Sequence, residues 1–214
     1  MNAFSYLTSI TIDLLSLTIE GDRLRLVTIS DEFEQDIFQE FTDEITIYML
    51  PSPAKDIEET RSFIAKSRDA IAAGNNLQFA ILSKTKEEFL GCCGLHGEEK
   101  IRTPELGIWL KKNAHGSGYG REAIHTLVNW SRKNIDLDYF IYPVDRRNIT
   151  SRKIPESLGG KIIEEFTVET LTGKFLDEVV YKIIGVISIN LNRKKSVEFP
   201  IFYPIKNFVS QPTR

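Results

Sequence analysis

Residues 115–120, HGSGYG, put three glycines into a six-residue loop between a strand-like run (residues 105–110, ELGIWL) and the segment REAIHTLVNWSRK. In that segment Ala123, Ile124, Leu127, Val128 and Ser131 share one helical face, so the order is strand, glycine loop, helix. Glycines let backbone N–H groups approach a ligand closely, and a helix N-terminus adds partial positive charge, so the junction suits an anion such as a pyrophosphate. A tight turn with no ligand is the alternative for glycines alone. Two basic windows favour the ligand. Residues 106–121 hold no acid but carry Lys111, Lys112 and Arg121, and residues 146–155 hold none but carry Arg146, Arg147, Arg152 and Lys153. In a chain of net charge −3 such windows point to a polyanion. The loop is not a nucleoside-triphosphate loop, because no Lys-Ser or Lys-Thr follows its second glycine. It is a poor dinucleotide fingerprint too, since no acid closes the next strand at the ribose position, although Asp145 comes close.

Around this junction the pattern predicts a mixed α/β chain. Residues 23–29 (RLRLVTI) alternate as a strand, and Ser30 with Asp31 and Glu32 reads as a helix start. Asp56 and Glu59 have capping-box spacing before an amphipathic helix that stops at Gly74. Residues 78–83 and 89–95 form an antiparallel hairpin, and residues 139–144 a further strand. Asn148 caps a short helix ending at Gly159 and Gly160, and residues 162–170 and 178–189 are two strands around a Gly173 turn. Hydrophobic residues make up 42% and charged residues 27% of 214, which fits one globular core. The expected division is an extension over residues 1–21, one domain over residues 22–189, and a tail or added edge element over residues 190–214.

The acidic balance, with a pI of about 5.7, argues against a nucleic-acid surface. Cys92 and Cys93 are adjacent, so they form neither a disulfide framework nor a zinc ligand set. The longest apolar stretch, residues 183–189, is far short of the roughly 18–20 residues of a membrane span. The N-terminus lacks a positive leader, and Asp13 interrupts its apolar run, so a cytoplasmic protein is the expectation.

His115-x-x-Gly118-x-Gly120 resembles the Gln/Arg-x-x-Gly-x-Gly/Ala signature of the GCN5-related N-acetyltransferases (GNAT), with histidine at its first position. Residues 104–110 (PELGIWL) look like the strand before that signature, and Asn148-x-x-Ser151 followed by residues 156–160 (ESLGG) looks like the next block. Residues 22–26 (DRLRL) and 177–181 (DEVVY) are similar to the RimJ/RimL-type subgroup. The resemblance implies a GNAT-like, mostly antiparallel mixed sheet with splayed middle strands and about four flanking helices. It also implies acetyl-CoA as co-substrate, with the pantetheine arm between residues 105–110 and 139–144. Backbone groups of Ile108, Trp109 and Leu110 would pair with that arm. The amides of His115, Gly116, Ser117, Gly118, Tyr119 and Gly120 would hold the pyrophosphate. Asn148 would reach the pantetheine, and Ser151 would lie near the sulfur or the phosphates.

The implied chemistry is direct attack of an amine on the thioester in a ternary complex, which requires no metal. The acceptor is a primary amine, either a protein N-terminal α-amine or a small molecule. Glu105 falls on the same side of its strand as Gly107 and Trp109 and is the candidate base, acting through water. Similar proteins carry an acidic tyrosine seven residues after the Asn148 position, where this chain has Pro155. Pro155 is also expected to kink or shorten its helix. Ser151 becomes the candidate acid, with Tyr181 behind it. A module that binds acetyl-CoA with impaired turnover is the alternative that Pro155 motivates. Residues 33–67 and 167–177 are expected to shape the acceptor pocket, with Asp43, Glu44, Glu165 and Glu169 as acids for a cationic amine. A monomer or homodimer is expected, and His96 and His125 are assigned no role.

Overall fold

The computed structural model describes residues 3–7, 12–98, 100–170 and 172–184. Eight strands form one sheet: β1 (Thr18–Glu20), β2 (Leu24–Thr28), β3 (Asn76–Ser83), β4 (Phe89–His96), β5 (Glu105–Leu110), β6 (Tyr139–Asp145), β7 (Lys161–Glu169) and β8 (Phe175–Ile184). Their order is β1-β2-β3-β4-β5-β6-β8-β7. Every junction is antiparallel except the parallel one between β5 and β6. Among the described residues four α-helices flank the sheet: α1 (Glu34–Glu40), α2 (Ile57–Ala72), α3 (Tyr119–Asn134) and α4 (Ile149–Ser157).

The apolar residues divide between the two faces. On one face Ala123, Ile124, Leu127 and Val128 of α3 join Phe79, Leu95, Leu106, Phe140 and Val179 in the main core. On the other, Ile37 of α1 and Ile64 and Ile71 of α2 pack with Ala80, Phe89 and Cys92. The Asp56 carboxylate caps α2 by accepting from Glu59 N–H (3.0 Å), while Glu59 accepts from Lys55 N–H (2.8 Å). Ser30 makes no such cap. Residues Asp31–Phe33 form a 3-10 turn instead, and α1 begins only at Glu34.

The central junction is the shortest. β5 and β6 share one register position, Glu105 with Ile141, where Ile141 N–H donates to the Pro104 carbonyl (3.0 Å). Arg146 N–H points the other way, to Asp177 of β8 (2.7 Å), so the odd-numbered residues of β6 turn their N–H toward β5. The next odd residue is Pro143, which has no N–H to give. The ladder ends after one rung and the strands part.

Pro155 does not interrupt α4, which runs on to Ser157. It lies in the last turn, and its carbonyl accepts from Gly160 N–H (2.8 Å) while Gly159 is left-handed (φ +74°), so the helix closes there. At the other end of the chain Phe4 is buried and donates to the Gly74 carbonyl (2.7 Å), and β1 adds an edge strand to β2. The last strand is described to Ile184. The rest of its expected span to Ile189, and the expected tail over residues 190–214, lie outside the described residues.

β4 leaves no room for a side chain at Gly91, which has φ +149°; a Cβ there would lie 2.2 Å from the Trp109 carbonyl oxygen of β5. Gly91→Ala is therefore expected to destabilise the fold by more than about 2 kcal/mol, from backbone strain and overpacking together. Urea unfolding checks this, with a lower midpoint expected at unchanged slope.

Candidate active site

The parting of β5 and β6 opens a slot through the sheet. Lys111 N–H donates to Leu90 of β4 (2.8 Å), so β5 residues alternate, and the backbone groups of Ile108 and Leu110 turn toward β6. No β6 residue pairs with them. Trp109, also expected to meet the ligand through its backbone, turns its N–H and C=O to β4. Its indole packs against Phe41 (centroids 4.9 Å) and Phe89 (5.8 Å), walling the α1 side of the slot.

At the end of the slot the glycine loop delivers α3. Gly116 and Gly118 are left-handed (φ +77° and +79°), and a Cβ at Gly116 would meet nothing within 4 Å. Gly118 is the N-cap residue, and no side chain caps the helix, so its first-turn amides remain available to an anion. Gly120 serves packing: a Cβ there would lie 3.4 Å from Leu110, 3.5 Å from Ile154 and 3.7 Å from Ile108. The loop is held from both sides. His115 Nε2 is 3.0 Å from the Leu110 carbonyl, and Arg23 donates to the Ser117 carbonyl (3.0 Å) and through Nε to Glu122 (2.7 Å). Arg23 also lies over the Tyr119 ring, 4.8 Å from its centroid.

Most of the two basic windows is spent internally. Lys111 pairs with Glu88, Lys112 with Glu44, Arg146 with Asp177 and Glu165, and Arg147 with Asp145. Arg152 donates to Tyr181 Oη (3.0 Å). Among the described residues Arg121, in the first turn of α3, and Lys153, on α4, are the two window cations with no hydrogen bond or ion pair. A groove between residues 18–23 and α3 shares Gly118 with the loop and includes Arg121, but reaches none of the groups described next.

Two carboxylates stand on the α1–α2 face of the slot. Glu105 opposes His96 across β4 and β5, and Glu178 opposes Asp145 across β6 and β8. Burial pushes Glu105 up to about 7; Glu98 adds to the shift and the positive charge of Lys100 opposes it. Burial also pushes Glu178 up to about 7, with the charges of Asp145, Glu105 and Asp177 adding to it. Glu178 is 5% exposed and has no hydrogen bond or ion pair among the described residues. Burial pulls His96 down to about 4, so it stays neutral near pH 7, and its Nε2 lies 3.2 Å from where a Gly107 Cβ would stand. Glu44 and Glu165, expected to serve a cationic amine, are instead paired with Lys112 and Arg146.

On the α4 side Asn148 caps the helix by accepting from Ser151 N–H (3.1 Å), and Ser151 Oγ is 2.8 Å from Tyr142 Oη. Tyr181 Oη donates to Glu156 (2.8 Å), which commits its proton away from the slot. Tyr142 and Glu178 were missed in the sequence because each acquires its neighbour through strand pairing or helix docking; His96, assigned no role there, lies opposite Glu105. Lys174 Nζ donates to the carbonyls of Thr46 (2.8 Å), Ile47 (2.9 Å) and Met49 (3.3 Å), tying the β7–β8 turn to the α1–α2 connection.

A family model described as acetyltransferase (GNAT) domain matches residues 23–161. The uncharacterized N-acetyltransferase p20 of Bacillus licheniformis is 25% identical over 172 residues, 78% of this chain and 96% of that protein. A GNAT-family acetyltransferase structure from Bacillus anthracis superposes at a TM-score of 0.65 with 20% identity, covering 78% of this chain and 98% of that one. The RimL ribosomal L7/L12 α-N-protein acetyltransferase in complex with coenzyme A does so at 0.70 with 18% identity, over 78% and 98%.

Glu178 gives a test of the site's electrostatics. Its folded-state value lies above that of the unfolded chain, so its cost to stability is absent below about 4.5, grows as pH rises, and is complete above about 7. Glu178→Gln is expected to raise Tm by about 3 °C or more at pH 8 and to change it little at pH 5, read by thermal unfolding.

Proposed function

The chain belongs to the GNAT acetyltransferase family, whose enzymes use acetyl-CoA, and from that premise we propose that it transfers the acetyl group to a primary amine by direct attack within a ternary complex. The single observation that carries this reading is the one-rung junction of β5 and β6, whose unpaired edge leads to the free amides of α3. The Ile108 and Leu110 backbone groups would hold the pantetheine arm. The amides from His115 to Gly120 would hold the pyrophosphate, with Arg121 and Lys153 as the window cations not already paired. Asn148 would reach the pantetheine through its amide nitrogen, since its oxygen caps α4.

Glu105 is the base. A carboxylate lifted to about 7 is a better proton acceptor than an ordinary one. It takes a proton from the amine through water, and the sulfur leaves toward Ser151. A protein N-terminal α-amine and a small amine both remain acceptors under this reading. The RimL neighbour's description as an α-N-protein acetyltransferase favours the former.

Glu105→Gln is expected to lower kcat by about 100-fold with KM for acetyl-CoA little changed, and to remove the fall in activity below pH 7. Full activity across pH would leave Glu105 a structural role. Gly118→Glu is expected to abolish the thermal stabilisation by acetyl-CoA, because it sets a side chain and a negative charge at the amide cradle. An amine panel scored for free coenzyme A tests turnover itself. Acetyl-CoA binding with no amine-dependent thiol release would mark the impaired module that Pro155 motivates.

A further inference from the structure

Similar proteins carry a tyrosine where this chain has Pro155, yet a tyrosine from the neighbouring strand reaches the same helix. Tyr142 of β6 is 2% exposed, and its Oη is 2.8 Å from Ser151 Oγ, its one hydrogen-bond partner among the described residues. Which of the two hydroxyls donates follows from what each has available. A phenolic O–H buried without an acceptor costs about 1–3 kcal/mol, so the Tyr142 proton must lie on Ser151 Oγ. Burial pushes Tyr142 up to about 12, which keeps that proton in place.

Ser151 is half-buried and has a second direction open to it. A helical serine can turn its proton back to the carbonyl three or four residues earlier, as Ser157 does to Ile154 (2.7 Å). Ser151 Oγ makes no such bond; the Tyr142 contact is its one hydrogen bond among the described residues. Its N–H is also taken, by Asn148.

We propose that Tyr142 is a positioning residue: by donating to Ser151 Oγ it leaves the Ser151 proton aimed into the slot as a hydrogen-bond donor to the departing sulfur. The inference rests on the acetyl-CoA reading above. No proton changes owner in this step. The C–S bond breaks, its electron pair stays on sulfur, the Ser151 O–H hydrogen-bonds to that thiolate, and water later protonates it. A hydroxyl that itself accepts a hydrogen bond is a stronger donor, so the two groups act as one unit.

The test needs no amine. Coenzyme A bound to the protein is titrated by the ultraviolet absorbance of its thiolate. The bound thiol is expected to titrate about one pH unit below free coenzyme A, the size of a hydrogen bond to a charged group. Ser151→Ala should abolish the lowering. Tyr142→Phe, which keeps the packed ring, should lose most of it, and adding Tyr142→Phe to Ser151→Ala should change nothing further. A ring-fluorinated tyrosine at position 142, a stronger donor of the same shape, should lower the thiol further. Tyr142→Phe leaving the thiol unmoved, or shifting it equally with and without Ser151, overturns the positioning role while leaving the acetyl-CoA reading intact. Failure of coenzyme A to bind the wild-type protein overturns that reading first.

Discussion

A single missing hydrogen-bond donor organises this molecule. Pro143 stands in β6 at the place where the second rung to β5 would form, and without its N–H the only parallel junction in the sheet ends at Glu105 and Ile141. Proline is rare inside a sheet because it removes a ladder bond. Here the lost bond lies where the sheet must come apart. The eight strands remain continuous because β4–β5 and β6–β8 are fully paired on the outer sides of the gap. The opening is thus held by well-packed strands, which is how a site is kept to shape without a ligand.

The two faces of the gap differ in chemistry because side chains alternate along strands. Glu105, Gly107 and Trp109 face α1 and α2, whereas Leu106 and Ile108 face α3 and α4. One face therefore gathers carboxylates whose burial raises them to about 7, and the other gathers hydroxyls on Tyr142 and Ser151. In the proposed mechanism the base for the incoming amine and the donor for the outgoing sulfur come from these two different faces, and the alternation supplies that separation. Lys174, bound to three carbonyls of residues 46–49, closes the carboxylate side with the β7–β8 turn.

Much of this was legible in the sequence because it is local. The strand–glycine loop–helix junction, the capped α2 helix and the Asn148 cap depend on residues within a few positions of one another, and the structure has all three. Charge was less legible. The two basic windows look free along the chain, but Lys111, Lys112, Arg146 and Arg147 meet acids contributed by other elements or by neighbouring positions. Pro155 suggested a damaged helix, yet it falls in the last turn, where a single carbonyl loses its partner. Pro143, Tyr142 and Glu178 went unread for one reason: the significance of each depends on which strand or helix lies beside it.

The unpaired β5 edge and the first turn of α3 are proposed to form one continuous binding surface for acetyl-CoA. Backbone hydrogen exchange at single-residue resolution, with and without acetyl-CoA, tests it directly. Slowed exchange is expected at Ile108 and Leu110 and at Tyr119, Gly120 and Arg121, with little change at Trp109, whose N–H already faces β4. Protection confined to residues 18–23 and the outer side of α3, with the β5 and first-turn amides unchanged, would place the ligand in that groove instead and rule the surface out.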